Sequence, residues 1–327
     1  MLNRDADVLT SRKDDAAQVM ERGLIGLSAI PHGGIDILRL VRVASGALCE
    51  LALDAVSEPS ELWQSEIEAL WEDVGLDATD RAIAMERAHE NIDSILRPAD
   101  PGITDREVES GRSLLRGIQM DYGVPSEVLC RPLRALMTQV VLASAATSPD
   151  RAALMLYIET VTQDALAYEL ATQELCDLLI ETKIAEHDWS IGDAICALAG
   201  AAAHRLAIKR AAMNWRWEDS YQTIADVMMR EALSLGVPAS TGWEFGMAAN
   251  DCRPNPPTAL IHSVETSCIV FLDLIAITAF ETQAVVLAKA AGRMLALAAT
   301  GADPEIEAHI AKPLACHAMA ETLRSFM

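Results

Sequence analysis

Aromatic side chains are scarce in this 327-residue chain, at 4% for Phe, Trp and Tyr together. Sheets draw on aromatic and β-branched residues to fill their pleated faces. Here the 51% of hydrophobic residues comes largely from alanine and leucine. Alanine loses no side-chain entropy in a helix and is depleted in strands. Alternating apolar and polar residues bounded by hairpin turns are also missing. These absences exclude a sheet-based core and predict an all-α fold, a multi-helix bundle or irregular helical array of about ten to twelve helices.

Basic residues are the second shortage. Lys and Arg number 26 against 48 Asp and Glu, a net charge of −22. Nucleic-acid affinity comes mainly from cationic side chains that displace counterions along the phosphates, so broad polyanion binding is not expected, nor is attraction to an anionic membrane. The surplus of carboxylates keeps an apolar-rich protein dispersed by mutual repulsion. An acidic protein of this kind can also imitate nucleic acid, which is a minor alternative function.

The seven cysteines are odd in number and never spaced as CxxC. That excludes a zinc-ribbon pattern and fits reduced thiols in a cytoplasmic protein. The first residues, Met1 to Asp15, carry charges of both signs and no apolar core of a secretory signal. The most apolar run, Cys268 to Phe280, contains Asp273 and is too short to span a bilayer. Neither a GxSxG elbow nor a Walker loop occurs.

What the sequence does contain is helix punctuation. Pro31-His32-Gly33-Gly34 closes an opening helix, and Pro59 begins a third. Two prolines and a glycine between Arg97 and Gly102 mark the best boundary. The expectation is an N-terminal helical subdomain over 1–100 and a main domain over 101–327, or one continuous domain. Thr104 with Glu107 has capping-box spacing, and Pro132 reads as the start of another helix. From Pro149 to about His187 nothing breaks the pattern, predicting one very long helix or two with an unmarked junction. Ser190 with Asp193 opens an Ala-rich helix. Val237 to Pro257, with four prolines, is too long and irregular for an ordinary connection. A single apolar helix follows over Thr258 to Thr300.

Several constellations could carry chemistry. His262 and Glu265 share a helical face, and Asp273 returns to nearly the same angle. Asp273 lies in the apolar run, so burial and a partner are expected for it. These three residues form the candidate catalytic set, with no metal or cofactor specified. His204, Arg205, Lys209, Arg210 and Arg216, beside Trp215 and Trp217, form the compact basic segment in which Arg205, Lys209, Arg210 and Arg216 are candidate anion ligands. Glu86 and His89 make an ExxH pair without the second copy that helix-bundle di-iron sites need. His187-Asp188 is a two-residue match to metal phosphohydrolases and carries no weight. Glu159, Gln163, Glu174, Asp177 and Glu181 line one side of the long helix and read as its solvent face. In the irregular stretch, Trp243, Phe245 and Met247 are candidate partner anchors.

No complete catalytic motif appears. The leading expectation is therefore a helical protein that works by binding another macromolecule, a protein partner. The alternative is a helical-bundle enzyme with a His/carboxylate site that uses a metal or does without one.

Overall fold

A computed structural model describes residues 2–30, 33–55, 58–95, 101–184, 190–210, 217–238, 258–300, 315–320 and 322. Among these residues are eleven α-helices and one π-helical turn, and no strand. The one extended pairing there is an isolated bridge between Ala29 and Ile35. The all-α expectation holds, in number of helices as well as in class.

The chain divides into two compact units, Met1–Ala167 and Tyr168–Met327. Unit 1 contains α1 (Leu2–Leu27), α2 (Ile37–Leu53), α3 (Pro59–Asp73), α4 (Ala78–Ile95), α5 (Pro101–Tyr122), α6 (Ser126–Ser144) and the first part of α7 (Ser148–Leu179). Unit 2 takes the rest of α7 with its π turn (Ile180–Ile184), then α8 (Ile191–Arg210), α9 (Trp217–Ser234), α10 (Thr258–Leu274) and α11 (Phe280–Thr300). Residues 315–320 are also helical.

The division does not fall near residue 100. α5 packs on α1 and α2, and α2 also meets α6, so residues on both sides of that point share one core: Leu24, Leu48, Leu51 and Ile67 with Leu115, Leu129 and Leu133. The contact is close. A Cβ on Gly46 would fall 1.9 Å from the Val108 carbonyl oxygen, and one on Gly111 would fall 1.8 Å from that of Val43. Glycine lets the two backbones meet. Buried ion pairs reinforce them: Arg112 donates to Glu50 at 3.1 Å and to Glu109 at 3.0 Å, and Arg116 donates to Glu50 at 2.8 Å.

Unit 2 packs through small side chains. Ala194, Ala197, Ala199, Ala201, Ala202, Ala203 and Ala207 on α8 are all buried, as are Ala288, Ala290 and Ala291 on α11. α8 is long and apolar enough to meet the length and composition of a membrane span, but most of it is buried inside the unit. α11 packs on α8 and α9, and α10 on α8. Gly292 repeats the device of unit 1, since a Cβ there would lie 2.3 Å from the Met228 carbonyl oxygen of α9. Arg293 beside it donates to Glu231 of α9 at 2.8 Å and to Glu169 at 2.8 Å, and Lys289 also pairs with Glu169. Burial opposes the charge on Arg293, but Glu231 and Glu169 outweigh it and raise its pKa.

Several local expectations need correction. α5 begins at Pro101, ahead of Thr104, and Glu107 pairs with Arg42 at 2.9 Å and Arg39 at 3.6 Å. Pro132 lies inside α6, which opens after Pro125. Burial of Leu129, Leu133, Leu136 and Met137 along that helix offsets the lost backbone bond. The predicted helix over Thr258 to Thr300 is two helices, broken after Leu274. Ala276 takes φ 64°, and the N–H of Ile277 reaches back to the Leu272 carbonyl at 2.8 Å, which is a Schellman ending. The same backbone pattern ends α3 at Gly75 and α9 at Gly236. Glycine announced those two stops in the sequence, whereas alanine concealed this one. Ser190 and Asp193 do form their reciprocal cap at the start of α8, each backbone N–H bonded at 3.1 Å to the other's side chain.

Candidate functional site

α8 and α10 cross where Gly200 leaves room: a Cβ there would press on Ile261 at 2.8 Å. One helical turn after Gly200, His204 and Arg205 project toward α10, and His262 and Glu265 face them. His204 Nδ1 lies 2.5 Å from Glu265 Oε2, and His262 Nδ1 lies 3.5 Å from the same oxygen. The two imidazole rings meet edge to face, with centroids 5.7 Å apart. Glu265 is buried, whereas the His262 side chain is 63% exposed. Arg205 Nε is 4.0 Å from Glu265 Oε1 and is buried without a hydrogen-bond partner. Its guanidinium stacks on Phe280, 4.8 Å from the ring centre.

Two of the three candidate catalytic residues therefore come together, and a third group joins them from another helix. In the sequence His204 belongs only to a basic segment. Its pairing with α10 depends on the α8–α10 crossing, which no local pattern encodes. Asp273 does not join. It shares the angle of His262, but eleven residues of rise carry it about 16 Å along the axis. Nor is it buried as expected: Asp273 is exposed and accepts a hydrogen bond at 2.9 Å from Gln283 Nε2, which also donates to the Ile277 carbonyl at 2.8 Å. Its role is to brace the corner between α10 and α11.

That corner has the second feature of interest. Val270 is 56% exposed, Leu274 80%, Ile275 40% and Phe280 36%. Val270 and Leu274 are one turn apart on α10 and share a face, and Ile275 and Phe280 follow in the turn and at the start of α11. The charged residues between Glu265 and Lys289 are Asp273 and Glu281, both acidic.

The remaining candidates separate. Trp243, Phe245, Met247, Arg216, His187 and Asp188 lie outside the described residues. Lys209 and Arg210 belong to the last turn of α8, and their side chains also lie outside the described set. Glu86 is exposed on α4. On α7, Gln163, Glu174, Asp177 and Glu181 are exposed, as a solvent face requires, but Glu159 is buried. It accepts from Trp71 Nε1 at 3.2 Å and pairs with Arg81. A buried carboxylate needs such partners, and both come from helices distant in sequence. No protein family, curated protein or solved structure matches this chain.

Proposed function

We propose that this protein is a binding protein whose docking surface is the apolar corner of α10 and α11, and that its partner presents a basic amphipathic segment. The observation that carries this reading is the exposure of Val270, Leu274, Ile275 and Phe280 within eleven residues. Scattered exposed leucines are ordinary, but a concentration of exposed apolar side chains in one short stretch is a mark of an interaction site. Ala276, at φ 64° in the middle of the corner, holds a conformation that costs a residue with a Cβ about 1 kcal/mol or more, and strain of this kind gathers at functional sites.

Charge selects the partner. The charges that flank the corner in sequence, Asp273 and Glu281, are acidic, and the cation that meets it, Arg205 stacked on Phe280, already lies beside Glu265, on a chain of net charge −22. A second copy would set carboxylates against carboxylates, whereas Lys and Arg around an apolar helix face would complement them. Binding of a synthetic Leu/Lys amphipathic helix, followed by fluorescence anisotropy, tests this with Leu274→Asp as the comparison. The substitution adds a negative charge, so a merely electrostatic association would strengthen. Apolar docking would weaken by about tenfold or more, the worth of one buried leucine. Equal or tighter binding by the variant would refute the reading.

A further inference from the structure

We propose that His204, His262 and Glu265 form a binding site for a divalent transition-metal ion of the zinc type. The three ligand atoms lie within 4.8 Å of one another. Two imidazole nitrogens, from helices separated by about sixty residues, are aimed at a single carboxylate oxygen, at 2.5 and 3.5 Å. That oxygen has lone pairs for two hydrogen bonds, and the same arrangement of two nitrogens and an oxygen around one point is the donor set that such a metal takes up.

The spacing fits with a small adjustment. Tetrahedral zinc with bonds of about 2.0–2.1 Å holds its ligands about 3.3 Å apart. His262 is already at that distance from Glu265 Oε2, and His204 needs to withdraw by less than 1 Å. Glu265 is buried and held by the body of α10, so it supplies the fixed ligand and the compensating negative charge. His262 is on the solvent side, which leaves a path for the ion and an open position for water or an anion. Arg205 lies on the other carboxylate oxygen's side with Nε buried and without a hydrogen-bond partner. Two histidines and one glutamate with a free position match the ligand chemistry of ions that bind exchangeable water, and not that of magnesium or calcium, which prefer oxygen-only sets.

Cobalt(II) is the probe, because its visible absorption reports both coordination number and donor type. The full chain, stripped with chelator and kept reduced, is titrated with Co(II), and His262→Ala is titrated in parallel. His262 is exposed, so its removal leaves the fold intact, which thermal unfolding of the variant verifies. The proposal expects one equivalent bound with intense nitrogen/oxygen-type bands of four or five coordination, and affinity at least about tenfold weaker in the variant. Glu265→Gln, which keeps hydrogen-bonding capacity but loses the charge, should weaken binding as well. Binding unchanged in His262→Ala, a thiolate charge-transfer band, or no binding by the unaltered protein would each overturn the assignment.

Discussion

Gly111 lies so close to Val43 that a Cβ on the glycine would fall 1.8 Å from the valine's carbonyl oxygen, and the residue after it, Arg112, claims Glu50 on the same helix as that valine. Unit 2 builds the same step with Gly292 against Met228 and Arg293 on Glu231. In each unit a glycine sets the distance between two helices and the next arginine sets their register. The buried carboxylate is acceptable because the guanidinium is held beside it by a backbone that cannot move away.

Gly111→Ala should therefore destabilise the protein by about 3 kcal/mol or more, beyond ordinary overpacking, because the obstructing atom is backbone and no side chain can yield. Urea unfolding monitored by circular dichroism measures it. Gly117, on the same helix with open space around it, provides the control. Alanine there should stabilise, by up to about 1 kcal/mol.

Arg293→Met should cost about 3–5 kcal/mol, since it strips Glu231 of a buried partner. Adding Glu231→Leu should recover much of that loss. If the double variant were no more stable than the single one, the pair would not be the source of the effect.

Ala276→Gly should raise stability by about 1 kcal/mol, because the left-handed φ of 64° suits glycine and penalises a Cβ. Thermal unfolding should move up by a few degrees. A lower melting temperature would mean that the corner is not held in this conformation.

Thiol reactivity gives a chemical check on the cores. Burial pushes Cys130 up to about 11, and Cys176 and Cys196 up to about 12. At pH 8 all three should remain thiols, and alkylation of the native protein should spare them, since the thiolate is the reactive form. Unfolding in denaturant should expose them at once. Rapid labelling of Cys176 in native protein, located by peptide mass mapping, would contradict the packing of α7 against α11.

The sequence made the helical class plain because every relevant signal was local: proline, glycine, caps and the preference of alanine for helices. It marked the stops at Gly75 and Gly236 but hid the one at Ala276, where tertiary packing holds an alanine in glycine's conformation. Two of the three residues of the proposed metal cluster were legible, since His262 and Glu265 are three residues apart on one face. His204 was not, because its place depends on how α8 crosses α10. Asp273 misled by angle alone, since a helical wheel records rotation and discards rise. The apolar corner was invisible for a related reason. Val270 and Leu274 stand in a run that reads as core, and they are exposed because they lie on the face of α10 opposite its buried residues Cys268 and Leu272.

Photo-crosslinking in the native host tests the docking surface most directly. A benzophenone amino acid replaces Leu274 in one variant and Met120 in another. The two side chains are equally exposed, at 80% each, but Met120 stands on α5 of the other unit. The account predicts a discrete protein adduct from position 274 and none from position 120, with the crosslinked partner peptide rich in Lys or Arg on one helical face and apolar on the other. Equal adducts from both positions, or none from 274, would contradict it.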